Sequence, residues 1–146
     1  MLMNRILKHL LFFFFLVNFF NTAYCSEYFQ KGVELFNNKK YEDAKFMFER
    51  SIVFDPKNSN SYLYLAKIYN HQDDKRLEEK NLDTTLLIEP KNEEAVLMLM
   101  KISLEKSNYS KVKDLSKTFA KICKNLCDEN KKILETLTNI EPKNES

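Results

Sequence analysis

Glycine is almost missing from this chain of 146 residues: it occurs once, at Gly32, and proline occurs three times. Hairpins and phosphate-binding loops need such residues at their turns, so the scarcity argues against a β-rich fold. The abundant lysine, glutamate, leucine and asparagine favour helices or lie on their exposed faces and ends. The composition therefore predicts an all-α protein, and the length suits one compact domain plus a short extra segment.

An excess of charge of either sign is also missing from most of the chain. The formal net charge is +2, and Arg5 and Lys8 supply it, so residues 26–146 are neutral overall. In that part only Arg50 and Arg76 offer the planar guanidinium that pairs with phosphate through two hydrogen bonds. We therefore expect no nucleic-acid partner.

Residues that carry chemistry are equally scarce, with two histidines and three cysteines. Catalysis by His71 would need a nucleophile held beside it. We expect His71 to be a solvated turn residue instead, because it lies near the end of a predicted helix, next to Gln72-Asp73-Asp74. Two cysteines and one histidine in separate segments cannot form a closed four-ligand zinc site. Solvated positions are expected for the acidic pairs Asp73-Asp74, Glu78-Glu79 and Glu93-Glu94. The chain is predicted not to be an enzyme and to need no cofactor or metal.

Residues 1–25 have the pattern of a secretory signal peptide. A basic start is followed by an apolar run of eleven residues, Leu10 to Phe20, with one asparagine inside it, whereas a membrane-spanning helix needs about 20. Cleavage is expected after Ala23 or, as the favoured choice, after Cys25. The protein is then exported, periplasmic if bacterial and otherwise secreted. It meets a membrane only if residues 1–25 remain as an anchor or if Cys25 is acylated.

A motif of five residues with proline at its centre, called a mark below, recurs along the rest of the chain. It reads Phe54-Asp55-Pro56-Lys57-Asn58, then Ile88-Glu89-Pro90-Lys91-Asn92, then Ile140-Glu141-Pro142-Lys143-Asn144. Pro56 and Pro90 lie 34 residues apart. Because proline cannot continue a helix, each mark is expected to end one helix, and the asparagine after it to help start the next. Two helices of about 13 residues each fill one period.

Large and small side chains alternate at regular places between these marks. In residues 25–58 they are Tyr28, Gly32, Leu35, Tyr41, Ala44, Phe48, Ile52 and Pro56. This set resembles the tetratricopeptide repeat family, although Lys31, Lys39 and Ser51 depart from its pattern. Residues 59–92 repeat the resemblance through Tyr62, Leu65, Ala66, Tyr69, Leu82, Leu86 and Pro90.

The second helix of residues 59–92 departs from this pattern. Glu78 stands where a small alanine is expected, and Lys75 replaces the tyrosine before it. We expect Leu77 to rotate inward to cover the gap, which leaves the register of this helix open.

A weaker third unit, residues 93–124, precedes a final helix. Val112, Leu115, Phe119 and Ile122 recur at three- and four-residue steps, which predicts one buried helical face. The final helix, from about Asp128, carries Ile133, Leu134, Leu137 and Ile140 on one side. Since a stack of repeats exposes an apolar end, this helix is interpreted as its cap.

Cys123 and Cys127 are four residues apart, where the third unit meets the cap. An unbroken helix would hold them too far apart for a disulfide, but a bend at Lys124-Asn125-Leu126 would bring them together. A structural disulfide is the favoured prediction, and two free thiols are the alternative.

The resemblance implies a fold, a set of boundaries and a binding surface. The fold is an all-α right-handed α-solenoid of about three helix pairs with a C-terminal cap, preceded by a signal peptide. Its parts are the signal peptide 1–25, repeats 26–58, 59–92 and 93–124, the cap 125–140 and a tail 141–146. The family's groove positions fall on Phe29, Val33, Phe36, Leu63, Lys67, Asn70, Leu97, Lys101 and Leu104.

This implied groove would hold a peptide or helix of a partner protein. Its first two positions are Phe29 and Val33, then Leu63 and Lys67, so they do not match the family's carboxylate clamp, which pairs lysine and asparagine there. The prediction is an exported, non-catalytic interaction module. The alternative is a membrane-tethered subunit of an assembly or maintenance complex of the cell envelope.

Overall fold

The computed structural model describes residues 26–140, so the predicted signal peptide, Cys25 and the tail lie outside the described residues. Within residues 26–140 the structure is entirely helical, as predicted. Helix α1 spans residues 26–37. It is followed by α2 (Tyr41–Phe54), α3 (Ser59–His71), α4 (Lys75–Ile88), α5 (Glu93–Glu105), α6 (Tyr109–Ile122) and α7 (Cys127–Ile140).

The 34-residue period seen in the sequence governs the helix boundaries. Helices α2, α4 and α6 begin at residues 41, 75 and 109, and α3, α5 and α7 begin at residues 59, 93 and 127. The turns before α2, α4 and α6 each contain a residue with positive φ. These residues are Lys39 (59°), Asp73 (58°) and Ser107 (55°). The backbone therefore repeats with the sequence, including the place where Lys39 stands for the family's glycine.

Asparagine and aspartate side chains cap four of the helices, and two of these caps, Asn58 and Asn92, are the ones that the sequence marks predict. Asn58 Oδ1 accepts a hydrogen bond from Ser61 N, and Asn92 Oδ1 accepts one from Ala95 N. Asp74 and Asn108 bond in the same way to Leu77 N and Lys111 N. Each of these bonds satisfies a backbone N–H group that the first turn of a helix leaves without a carbonyl partner.

The chain divides into two compact units, Met1–Ile68 and Tyr69–Ser146, and the division falls within α3. In the first unit the buried apolar side chains include Ala44, Phe48, Leu63, Leu65 and Ile68. Ser51 and Ser61 are also buried there, and their hydroxyl oxygens lie 3.0 Å apart in a hydrogen bond. That bond removes the cost of burying two hydroxyl groups without partners.

The core of the second unit joins α5, α6 and α7. It contains Val96, Leu97, Met100, Val112, Phe119, Ile133 and Leu137. Leu115, Ile122 and Leu134 pack against this core, which confirms the predicted apolar faces of α6 and α7. Ile140 was expected on the same face of α7 but is 47% exposed, because the helix ends there.

The register of α4 follows the repeat, and two expectations about this helix were wrong. Glu78 is only 1% exposed and takes the buried position that Ala44 holds 34 residues earlier. Leu77 is half-buried and does not replace it. Glu78 was also expected on a solvated face, but hydrogen bonding to Asn70 and an ion pair with Lys75 compensate its burial.

None of the helices described in residues 26–140 is both long enough and apolar enough to cross a membrane.

Candidate functional site

An aromatic surface lies on α1 and α3 of the first unit. Phe29 and Phe36 are seven residues apart on α1, which places them on one face of the helix. Their ring centroids lie 5.7 Å and 5.2 Å from that of Tyr64 on α3, both in edge-to-face geometry. All three residues are half-buried, so part of each remains accessible. We call Phe29, Phe36 and Tyr64 the aromatic surface.

The aromatic surface rests on the buried ring of Phe48 in α2. The Phe48 and Tyr64 rings are stacked with their centroids 4.9 Å apart, and the Phe29 ring lies 5.8 Å from Phe48. Gly32 makes this arrangement possible, because a Cβ atom there would lie 2.7 Å from Phe48 Cε1. The one glycine of the chain therefore allows α1 to approach a large side chain of α2.

A positive charge borders this surface. Lys67 Nζ lies 4.7 Å from the centroid of the Tyr64 ring, within the range of a cation–π interaction. Val33, half-buried, is on α1 between Phe29 and Phe36. The structure thus brings together Phe29, Phe36 and Lys67 of the predicted groove through Tyr64, which the sequence interpretation did not include.

The other predicted groove residues have different surroundings. Leu63 and Leu97 are each 5% exposed, and Leu97 belongs to the core of the second unit. Leu104 packs against that core as well. Asn70 and Lys101 are exposed. Packing is therefore the role that the structure gives to Leu63, Leu97 and Leu104, while a contact of these positions with a partner stays a prediction.

The loop between α6 and α7 is closed by a disulfide. Cys123 and Cys127 are bonded, with their Cα atoms 5.4 Å apart, and the helix is broken between them at the predicted bend. The Glu93 carboxylate of α5 accepts hydrogen bonds from three successive backbone N–H groups, those of Lys124, Asn125 and Leu126. This loop is thus fixed to α5 at its centre and tied at both ends.

These hydrogen bonds make the Glu93 contact dependent on pH. Burial acts to raise the pKa of Glu93, but the three N–H groups outweigh it and hold the pKa below its ordinary value of 4.5. A carboxylate whose pKa is lowered by folding stabilises the protein above the unfolded-state pKa, and loses that contribution as the pH falls through the folded-state pKa.

We expect Glu93→Gln to lower the melting temperature at pH 7, because glutamine offers the loop no negative charge. The difference from the unchanged protein should begin to shrink as the pH falls below about 4.5, the ordinary pKa of glutamate, and should disappear once the pH is below the lowered pKa of Glu93 in the folded protein. Thermal unfolding between pH 3 and pH 7 measures this difference in melting temperature. Glu135→Gln, at an exposed position of α7, is the control and should show no such pH dependence. An equal melting temperature for Glu93→Gln and the unchanged protein at pH 7 would contradict this interpretation.

A second set of charges lies on α4, on the residue that follows α5, and on α6. The carboxylate of Glu79 accepts hydrogen bonds from Lys106 Nζ and, at 2.7 Å, from Lys111 Nζ. These two bonds lower the pKa of Glu79, against the smaller effect of burial. Within residues 26–140 no group of three or more histidine, cysteine, aspartate or glutamate residues is placed to hold a metal ion.

Residues 47–80 match the family model described as tetratricopeptide repeat. No curated protein matches this sequence.

Solved structures with similar folds have low sequence identity to this chain. The type III secretion chaperone SycD of Yersinia enterocolitica, in complex with a peptide of the translocator YopD, has a TM-score of 0.73 at 15% identity, over 80% of this chain and 94% of that one. The TPR domain of Arabidopsis OM64 has a TM-score of 0.73 at 16% identity, over 82% and 98%. The TPR2B domain of yeast Sti1, in complex with pHsp70, has a TM-score of 0.73 at 11% identity, over 80% and 98%. Residues 47–80 therefore match the tetratricopeptide repeat, and the chain has the fold of tetratricopeptide repeat domains, as the resemblance of its sequence predicts.

Proposed function

We propose that this protein is a non-catalytic interaction module that binds a peptide or helix of a partner protein. The fold supports this, since similar solved structures include SycD with a peptide of YopD and the TPR2B domain of Sti1 with pHsp70. The helices, repeating every 34 residues, further support a right-handed solenoid of about three helix pairs with α7 as its cap.

The observation that carries the proposal is the aromatic surface of the first unit. The rings of Phe29 and Phe36 on α1 each contact the ring of Tyr64 on α3, and all three residues are half-buried. An aromatic group that is partly exposed gains free energy when a partner covers it. Val33 supplies an aliphatic side chain beside them. We propose that a partner segment lays apolar side chains on this surface, with an acidic group of the segment directed to Lys67.

The proposal is tested by a charge introduced at Val33. Fully burying an exposed apolar side chain contributes about 1.5–3 kcal/mol, and Val33 is already half-buried, so Val33→Asp should weaken binding by about 10-fold. Peptides are first selected from a displayed library on the purified protein, and the dissociation constant of a selected synthetic peptide is then measured by fluorescence anisotropy.

The matched control is Val53→Asp, because Val53 is 76% exposed on α2 of the same unit. Circular dichroism and melting temperature establish that both variants fold. The proposal fails if no peptide is selected, or if Val53→Asp weakens binding as much as Val33→Asp.

We also propose that the protein is exported and that its signal peptide is removed by cleavage after Ala23 or Cys25, which the basic start and the short apolar run support. Amino-terminal sequencing of the native protein should give Tyr24 or Ser26 as the first residue. Recovery of Met1 on membrane-bound protein would instead favour the membrane-tethered subunit.

A further inference from the structure

An arginine on α2 lies between two aromatic rings of the first unit. The guanidinium carbon of Arg50 is 4.8 Å from the centroid of the Tyr28 ring and 5.6 Å from that of the Phe46 ring, both within the range of a cation–π interaction. Arg50 Nη2 also donates a hydrogen bond of 3.2 Å to the hydroxyl oxygen of Tyr28. The Tyr28 ring is stacked in turn on that of Phe54, with their centroids 5.3 Å apart. These contacts restrict the guanidinium group, so it loses less side-chain entropy when it pairs with a ligand.

Arg50 has a positive charge but no carboxylate beside it. Several lysines of the chain pair with an acidic residue three positions away on the same helix, as Lys31 does with Glu34. The side chains three and four positions from Arg50 are all apolar, namely Phe46, Met47, Val53 and Phe54. Among residues 26–140, no aspartate or glutamate forms an ion pair with Arg50. Its guanidinium group therefore has donors available for a carboxylate from outside this part of the chain.

Large apolar side chains are exposed on the same face of α2. Phe46 is 51% exposed and Val53 is 76% exposed. They are seven residues apart, with Arg50 between them at helical spacing, so all three lie on one face of the helix. We call Tyr28, Phe46, Arg50 and Val53 the arginine surface. Exposed apolar side chains grouped around an arginine are typical of protein interfaces, where aromatic residues and arginine often contribute most of the binding energy.

We propose that the arginine surface binds an acidic side chain of a partner protein that has an apolar side chain next to it. The N–H donors of a guanidinium group lie in one plane and pair with a carboxylate through two parallel hydrogen bonds. The partner's carboxylate supplies the negative charge that Arg50 lacks within residues 26–140, and the apolar side chain covers the exposed part of Phe46. The arginine surface shares no residue with the aromatic surface, so this inference goes beyond the proposed function.

The test uses a small carboxylate with an apolar ring as the probe. The ¹⁵N-labelled protein is titrated with N-acetyl-L-phenylalanine at constant ionic strength, and NMR follows the Nε–H signal of Arg50 and the backbone amide of Phe46. Saturable shifts are expected, with a dissociation constant on the order of millimolar, because exposed ion pairs are weak. N-acetyl-L-phenylalanine amide, which has the same ring but no charge, should bind at least about fivefold more weakly.

Two arginine variants make the result specific to this surface. Arg50→Gln should weaken binding of N-acetyl-L-phenylalanine by at least about fivefold, followed through the Phe46 amide. Arg76→Gln, on α4, is the matched control and should leave binding unchanged, because Arg76 is the other arginine of residues 26–140 and is also exposed. The inference is overturned if the probe gives no saturable shift, if its amide binds as tightly, or if Arg50→Gln binds it as well as the unchanged protein does.

A third variant separates this inference from the peptide-binding proposal. Val33 lies beside the aromatic surface, so Val33→Asp should leave the binding of N-acetyl-L-phenylalanine unchanged while it weakens the binding of a selected peptide. A loss from Val33→Asp as large as that from Arg50→Gln would contradict the arginine surface as the binding site. Failure of the peptide selection, in contrast, would leave the expected result for N-acetyl-L-phenylalanine as it is.

Discussion

Replacing Lys75 with alanine is expected to destabilise the protein by about 3 kcal/mol, because the buried carboxylate of Glu78 then loses its ion-pair partner. Removal of one member of a buried pair typically costs about 3–5 kcal/mol. The lower end applies here since the Lys75 side chain is 30% exposed and Asn70 still donates to Glu78. Urea unfolding followed by circular dichroism measures the change.

The double replacement Lys75→Tyr with Glu78→Ala should behave in the opposite way. It installs the residues that the preceding repeat carries at Tyr41 and Ala44. Replacing a buried ion pair by apolar residues is often neutral or stabilising by about 1–4 kcal/mol. Lys131→Ala, at an exposed lysine of α7, serves as the control for loss of a lysine. If the double variant is less stable than Lys75→Ala alone, the ion pair of Lys75 and Glu78 does not take the place of the apolar contact that Tyr41 and Ala44 make in the preceding repeat.

Gly32→Ala is expected to destabilise the first unit by about 1–3 kcal/mol. The added Cβ would lie 2.7 Å from Cε1 and 2.9 Å from Cδ1 of Phe48, so a fully buried ring must move. The higher helix propensity of alanine, worth about 1 kcal/mol, offsets part of the cost. The free energy of unfolding from urea titration gives the net value.

A second replacement distinguishes a clash with Phe48 from a general loss of helix packing. The following repeat has alanine and leucine at the equivalent positions, Ala66 and Leu82. Phe48→Leu should therefore relieve the strain of Gly32→Ala, and the double variant should be more stable than the sum of the single changes by about 1 kcal/mol. Additive effects would mean that the two side chains do not compete for the same space.

The sequence predicted the helix boundaries well because the repeated residues that set each boundary lie next to it in the chain. A proline follows the end of a helix, and an asparagine or aspartate caps the next helix, so both boundaries follow from neighbouring residues. The predicted bend between Cys123 and Cys127 belongs to the same class, since it depends on the end of α6 and the start of α7.

The errors concern contacts between helices. Glu78 was assigned to a solvated face from its residue type, whereas Asn70 of α3 and Lys75 of α4 are its partners in a buried position. Lys75 is held in turn by Glu105 of α5. Leu97 lies at a groove position of the family, yet in this chain it belongs to the core that α7 completes. One-dimensional patterns indicate which face of a helix is apolar but not which neighbour covers each residue.

Tyr64 was missed for a related reason. It stands in the alternating run Tyr62-Leu63-Tyr64-Leu65, where the family pattern assigns Tyr62 and Leu65 and is silent on Tyr64. Its position three residues before Lys67 on a helix was the available signal, because residues at that spacing lie on the same face.

The turns at Lys39, Asp73 and Ser107 lack glycine, and this affects the conformational entropy of the denatured chain. All three have positive φ, a conformation that costs a non-glycine residue on the order of 1 kcal/mol in the folded protein. A side chain at these positions also restricts the disordered chain, which therefore surrenders less conformational entropy on folding than glycine would. The cost of strain in the three turns of the folded protein is thus partly offset by the denatured state, which has fewer conformations to lose on folding.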